Sequence, residues 1–268
     1  MVHLAPIAAG AASPLSRGAV LLFAVLQVLM PMLPQLGVGE PIGEQSDSVR
    51  TLITPAGWAF SIWGPLFAGS IAFAIYQALP AQRGNALLAR LRWPAAGAFL
   101  GNAVWAVYTQ LFELSIVSAL IILFTLACLL VVYRHVSDWR PGFSSGDRWL
   151  AVLPLSALAA WLTAATIVNI AAALRFHGLD VGEAAATVGA AIVVVGGAIA
   201  AATLVSGRGN PPYALVFLWA LAAIYAAGGQ VAEVIAAAAV VAAVLVVGAT
   251  VVGLRRPGAG HWLGRAAN

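Results

Sequence analysis

The feature that most constrains this chain is a series of long apolar runs, separated by short segments that hold most of the charges. Hydrophobic residues fill 62% of the 268 positions and charged residues only 8%, against roughly a quarter charged in a typical soluble domain. A run of about 20 apolar residues crosses a bilayer as a helix, because backbone polar groups cannot stay unpaired in hydrocarbon. The sequence therefore predicts an all-α integral membrane protein.

The apolar runs predict about eight transmembrane helices. Their approximate bounds are 18–36, 57–79, 93–111, 114–133, 149–174, 184–205, 212–228 and 231–254. Arg17 precedes the first run, which ends at Met30–Pro34 without a small-residue cleavage site. We therefore expect a retained first helix rather than a cleaved signal peptide, and we expect its prolines to bend or end it.

Two of the apolar stretches are too long for one crossing. Residues 93–133 span 41 positions, roughly 60 Å as one helix and about twice the thickness of the hydrocarbon core. This stretch must fold back, and Gln110 and Glu113 mark the expected turn. The stretch 212–254 must also fold back, and the turn is expected at 228–230.

The basic residues predict the orientation of the chain in the membrane. All 13 are arginines, and with eight crossings eleven of them fall on one side. Only Arg50 and Arg175 fall on the other side, together with seven of the nine acidic residues. Cytoplasmic loops carry the excess of arginine, so we expect a multi-pass protein of the bacterial inner membrane with both termini in the cytoplasm. This topology signal explains the net charge of +4 without a nucleic-acid partner.

Several chemistries lack the residues they need. Without lysine there is no retinal or pyridoxal Schiff base and no phosphate-binding loop that ends in Lys. The single cysteine, Cys128, lies within an apolar run and excludes an internal disulfide. The four histidines fall in predicted termini or loops, so none is placed to ligate a haem iron or zinc inside the membrane. No acid–base pair or nucleophile is evident, and an enzyme is not favoured.

Aromatic residues cluster where the second predicted helix begins. Trp58, Phe60, Trp63 and Phe67 lie within the segment 54–67. Trp63 and Phe67 are four residues apart and share a helical face. They are candidates for the wall of a cavity, whereas an aromatic belt at the membrane surface is an equal alternative for Trp58.

Two further clusters lie deep in the third and fifth predicted helices. Asn102 and Trp105 are one turn apart in the third, and Trp161 and Asn169 lie in the fifth. A buried amide must find a partner or line a cavity, so these asparagines either contact a ligand or hold helices together. Trp161 is too deep for a belt, and its indole N–H needs an acceptor.

The order of these clusters resembles the translocator protein/tryptophan-rich sensory protein family, also called peripheral benzodiazepine receptor-like proteins. That family has W-x-F and W-x-x-L-Y patterns at the second helix, N-x-x-W in the third, and a Trp followed eight residues later by Asn in the fifth. The matching segments here are 58–60, 63–67, 102–105 and 161–169. The first two tryptophans are five apart instead of six, Phe67 replaces Tyr, and the Pro upstream of Trp161 is displaced to Pro154.

The resemblance implies a five-helix ligand-binding core at 1–174, followed by a three-helix membrane extension at 175–268 packed on it. Loop 37–56 would close the cavity. The implied ligand is a flat hydrophobic molecule, such as a porphyrin, a haem-type tetrapyrrole or a sterol-like compound, with no obligatory cofactor and no metal. The binding residues would be Trp58, Phe60, Trp63, Phe67, Asn102, Trp105, Trp161 and Asn169.

Three functions follow from these observations. The leading hypothesis is a membrane receptor or carrier for the flat ligand, with a sensing or transport role and room for a homodimer. A secondary transporter or facilitator of a small solute is the second, although proton coupling is disfavoured because the acids lie at predicted helix edges. A structural or assembly protein is the third, because the last three helices are rich in small residues.

Overall fold

The computed structural model describes residues 13–262. The regular elements in this range are all helical. The α-helices are α1 (Pro14–Leu29), α2 (Ile42–Ser48), α3 (Trp63–Ala78), α4 (Ala86–Phe112), α5 (Ile116–Ser137), α6 (Ser145–Asp147), α7 (Leu153–Phe176), α8 (Ala185–Ser206), α9 (Pro211–Ala226) and α10 (Glu233–Leu254). A 3-10 segment, Met30–Leu36, continues α1, and another, Gly57–Ile62, precedes α3. A π turn, Arg148–Val152, joins α6 to α7.

The structure confirms an all-α membrane protein with long helices at the eight predicted positions. Within 13–262, seven helical segments are long and apolar enough to cross a membrane. The eighth, α4, has 27 residues but is less apolar. It packs against α1 and α5, and its polar Asn102, Thr109 and Gln110 are buried. Because protein surrounds this face of α4, the helix needs fewer apolar residues than one that faces lipid.

The predicted turns are found where the sequence placed them. Helix α4 ends at Phe112, and Glu113 takes a positive φ of 67°. The Ser115 side chain then caps α5 by accepting from the backbone N–H of Val117. Helix α9 ends at Ala226, and a 3-10 turn over 228–230 precedes α10. In the first crossing the prolines convert the α-helix into the 3-10 segment, because proline cannot donate to the helical ladder.

The helices form one contiguous bundle in which the last three pack on the first five. Helix α4 contacts α1 and α5, and α7 contacts α3 and α5. Helix α9 lies against α7, while α8 and α10 pack against each other. Buried polar contacts join the two parts, since the Tyr213 hydroxyl lies 3.0 Å from Thr163 Oγ1 and Asn210 Nδ2 donates to Ser156 at 2.9 Å. The division into a core and an extension stays a prediction.

A buried carboxylate ties α3, α4 and α7 together at the arginine-rich end. Asp147 is 8% exposed. It accepts from the Tyr76 hydroxyl at 3.1 Å, from Asn85 Nδ2 at 2.8 Å and from the Ser144 hydroxyl at 2.7 Å. Since each partner comes from a different segment, this carboxylate fixes where the three helix ends meet.

Arg92 is a structural residue of the bundle rather than a loop residue. Helix α4 begins at Ala86, so Arg92 lies in its second turn and is only 1% exposed. Its guanidinium donates to Gln77 Oε1 at 2.9 Å and to the carbonyls of Gln77 and Gln82. These carbonyls lie at and just beyond the end of α3, where the helix dipole favours a cation. The His135 side chain also lies in a last helical turn, that of α5, and not in a loop.

Candidate functional site

A cavity of about 560 Å³ lies at the end of the bundle opposite the Asp147 cluster. It is bounded by the 3-10 end of α1, by α2 and its flanking loops, and by the facing surfaces of α3 and α4. Its lining residues are Pro31, Pro34, Gln35, Pro41, Ile42, Gly43, Asp47, Arg50, Pro55, Gly57, Phe60, Trp63, Phe67, Asn102, Trp105 and Ala106. Five of the eight predicted site residues are therefore in this wall.

A smaller space of about 60 Å³ adjoins this cavity and shares part of its wall. Phe60, Trp63 and Trp105 line both spaces, whereas Trp161 and Asn169 of α7 line only the inner one. Seven of the eight predicted residues thus line one or both of two adjoining spaces. We refer to the two spaces together as the aromatic cavity.

The aromatic rings of the cavity hold one another in place. Trp63 stacks on Phe67 with ring centroids 5.0 Å apart, as their four-residue spacing predicts. Trp161 makes T-shaped contacts with Trp63 at 6.1 Å and with Phe60 at 6.2 Å. Edge-to-face and offset-stacked pairs are the preferred aromatic geometries. The rings from α3, α7 and the 3-10 segment before α3 therefore form a fixed wall.

Three buried polar atoms of the wall have no hydrogen-bond partner within residues 13–262. They are the indole Nε1 atoms of Trp105 and Trp161 and the Oδ1 atom of Asn102. Each residue is less than 10% exposed. Leaving such a group unpaired costs about 1–3 kcal/mol, so unpaired polar groups in a native structure call for a specific explanation. The three residues that carry these atoms line the aromatic cavity.

The asparagines also join helices, as the alternative interpretation held. Asn102 Nδ2 donates to Gln27 Oε1 of α1 at 3.3 Å. Asn169 Oδ1 accepts from the Ser118 hydroxyl of α5 at 3.1 Å. Both amides therefore fix the helices that frame the cavity while lining it.

The loop over the cavity is anchored to α4. The Glu40 N–H donates to the Gln110 carbonyl at 2.9 Å, and the Gln110 side chain donates to the Met30 carbonyl at 3.0 Å. Gly39 has φ of 73°, and a Cβ there would lie 2.6 Å from the Gln110 carbonyl oxygen. Only glycine fits this close approach. The loop and α2 form the outer wall that the resemblance implies for residues 37–56.

One predicted residue, Trp58, does not line the aromatic cavity. Its side chain is 48% exposed and meets Trp219 of α9 edge-on at 4.8 Å. The Trp219 indole in turn donates to the Ala59 carbonyl at 3.1 Å. Trp58 thus helps to dock α9 on the start of α3, and its half-exposed ring suits the interfacial position weighed for it.

Sequence reasoning did not single out several residues of the site. Asp47 and Arg50 form an ion pair of 2.6 Å at the mouth, and Ala220 and Ile224 of α9 line the inner space. The sequence did mark Arg50, because it is one of the two arginines on the arginine-poor side of the predicted topology. Nothing in the sequence marks the two apolar residues, because small and aliphatic side chains fill every span.

Comparison with known proteins identifies the family of the chain. A family model described as TSPO-like protein matches residues 16–252. A search of curated proteins and a search of solved structures gave no match. The family match runs through both the first five long helices and the last three, and it covers far more than half of the sequence. The chain therefore belongs to the TSPO-like protein family.

Proposed function

We propose that this protein is a membrane receptor or carrier that binds a flat, mainly apolar molecule of the tetrapyrrole or sterol type in the aromatic cavity. The observation that carries the proposal is the pair of buried indole N–H groups, Trp105 and Trp161, that have no partner in the described residues. They belong to an aromatic wall around a space of a size suited to small molecules, which is about 300–1,000 Å³.

The ring geometry supports a flat ligand over a compact one. Trp63 and Phe67 lie stacked with an interplanar angle of 27°, while Trp161 stands at 85° to Trp63. A planar molecule can lie on the stacked pair and meet the edge of the third ring, which are the two favourable aromatic arrangements. The polar atoms then fix its orientation, as a few placed polar groups do in apolar sites.

The mouth of the cavity favours a ligand with acidic substituents. Arg50 lines the outer space, and its guanidinium is shared with Asp47. A carboxylate on the ligand could pair with the same guanidinium, because arginine has five N–H donors. Among the described residues that line the two spaces there is no His, Cys, Met or Tyr, so these residues offer a haem iron none of its usual axial ligands. A metal-free porphyrin is therefore the appropriate first probe.

The proposal is tested by equilibrium binding of protoporphyrin to the purified protein, read from porphyrin absorbance. Each aromatic contact contributes about 0.5–1.5 kcal/mol beyond its buried area. We therefore expect Trp105→Ala with Trp161→Ala to raise the Kd about ten- to hundredfold. Trp149→Ala is the matched control, because Trp149 is 62% exposed and lies outside both spaces. Equal affinity of the double variant and the control variant would refute the proposal.

Carriage is distinguished from sensing in proteoliposomes loaded with albumin as a porphyrin trap. A carrier accelerates porphyrin accumulation inside, and the double variant removes the acceleration. A receptor binds the porphyrin with no effect on this rate. If the unmodified protein and the double variant took up a small hydrophilic solute at the same rate, this result would instead favour a facilitator.

A further inference from the structure

A second cavity, of about 500 Å³, lies beside the aromatic cavity at the same end of the bundle. It is formed by the end of α7, the start of α8, the segment 50–54 and the turn between α9 and α10. We call it the lateral cavity. It shares Arg50 with the outer aromatic space and has no lining residue in common with the inner one. Because Arg50 is the single shared residue among those the structure describes, and none of the described lining residues is a tryptophan, we treat it as a separate site.

The lateral cavity combines an apolar wall with two cations. Leu52, Ile53, Val188 and Ile192 are among the apolar residues, and Arg50 and Arg175 are its charged ones. These are the two arginines that the charge count assigned to the arginine-poor side of the membrane. They are 125 positions apart in the sequence, and only the packing of the bundle places both on one cavity.

The two arginines differ in whether an acidic side chain pairs with them. Arg50 pairs with Asp47 at 2.6 Å. Arg175 forms no ion pair and no side-chain hydrogen bond with any residue in 13–262. Glu113 and Asp180 line a neighbouring groove with Arg175, but neither carboxylate is within ion-pair distance of it. None of the five N–H donors of Arg175 is therefore engaged by another described residue.

The position of Arg175 suits a molecule that is charged at one end. It lies in the last turn of α7, at the edge of the apolar span, and the apolar wall extends from it along α8. Arginine binds carboxylates and phosphates through paired, charge-assisted hydrogen bonds. A wholly apolar molecule would leave these donors unused, and a small anion would leave the apolar wall unfilled.

We propose that the lateral cavity binds an anionic amphiphile, with its acidic head group on Arg175 and its alkyl chain against Val188, Ile192 and Leu52. The head group can come from a free fatty acid or from an acidic phospholipid of the bilayer. Both present an anion on an apolar chain at the membrane surface.

Native mass spectrometry of the detergent-purified protein tests this site. Oleate is titrated in one arm and a phosphatidylglycerol with oleoyl chains in the other, with methyl oleate and phosphatidylcholine as neutral counterparts. We expect saturable binding of at least one acidic probe, at least tenfold tighter than its neutral counterpart, since charge-assisted hydrogen bonds contribute about 1.5–3 kcal/mol. Preference for oleate identifies a free acid as the source, and preference for phosphatidylglycerol identifies a bilayer lipid.

Three variants assign the binding to the lateral cavity. Arg175→Gln is expected to weaken the binding of the acidic probe about tenfold or more. Val188→Trp is expected to weaken this binding because the larger side chain fills the space beside the apolar wall. Arg83→Gln is the matched control, because Arg83 is an exposed arginine at the other end of the bundle. Arg175 and Val188 are also exposed residues, so both changes are compatible with folding. Equal affinity for acidic and neutral probes, or no effect of Arg175→Gln, would overturn the proposal.

Discussion

The contact between α8 and α10 allows a sharp test of how the last helices are held. Gly197 of α8 faces Ala242 of α10, and a Cβ added at Gly197 would lie 2.5 Å from the Ala242 Cβ and 2.8 Å from its Cα. Carbon atoms in contact normally lie about 3.5–4.0 Å apart. Because a backbone atom of α10 blocks the new methyl, no side-chain rotation relieves the clash. The two helices would have to separate by about 1 Å in Gly197→Ala.

Two opposing effects determine how far Gly197→Ala changes the free energy of unfolding. Alanine has a higher helix propensity than glycine by about 1 kcal/mol. Against this, a gap of about 0.5–1 Å removes a quarter to a half of the dispersion energy of each contact, and overpacking typically costs about 1–3 kcal/mol. Subtracting the gain in helix propensity from the cost of overpacking, we expect Gly197→Ala to lower the free energy of unfolding by up to about 2 kcal/mol.

The assay is unfolding in mixed micelles of SDS and a mild detergent, followed by circular dichroism. Gly248→Ala is the matched control, because Gly248 lies within α10 and an added Cβ there meets no atom of residues 13–262 within 4 Å. We expect the control to be neutral or slightly stabilising. If the two substitutions changed the unfolding free energy equally, the contact between Gly197 and Ala242 would not hold α8 to α10.

Three further predictions concern the buried polar groups and the topology. In a double-mutant cycle, Tyr213→Phe and Thr163→Val should show a coupling energy of about 0.6 kcal/mol, the average for a hydrogen bond between membrane helices. Asp147→Ala should lower the free energy of unfolding by about 1–3 kcal/mol, because it leaves the buried Tyr76 hydroxyl without its acceptor and removes one acceptor of the partly buried Asn85 amide. A cysteine replacing Glu44 should react with an impermeant maleimide on intact cells, and one replacing Arg255 only after lysis, because arginine-rich loops stay in the cytoplasm.

Each of these predictions has its own control. A coupling energy near zero would show that the hydroxyl of Tyr213 does not help to join α9 to α7. Asp138→Ala is the comparison for the Asp147 variant, since Asp138 is an exposed carboxylate near the same end whose pair with Arg134 spans 3.7 Å. If Asp147→Ala and Asp138→Ala lowered the free energy of unfolding equally, the role of the buried carboxylate would be refuted. The labelling uses a Cys128→Ser background, and labelling of both new cysteines on intact cells would contradict the orientation.

The sequence by itself determined how many long helices form and where they turn. The cost of unpaired backbone groups in hydrocarbon acts on each segment separately, so apolar length could be counted along the chain. The fold-back at Glu113 and the turn at 228–230 followed from the same count, and the structure has both. The stack of Trp63 on Phe67 was also predictable, because four-residue spacing places two side chains on one face of a helix.

Only the tertiary structure decided which of these residues meet. Trp58 and Trp63 both belong to the aromatic segment 54–67, yet Trp58 packs on α9 and Trp63 lines the aromatic cavity. Arg50 and Arg175 were counted as surface charges, and helix packing brings both to the lateral cavity. Arg92 lies just outside the predicted span 93–111, yet it is buried against the end of α3. Such contacts depend on the rotation and separation of whole helices, which nearly uniform apolar sequences do not specify.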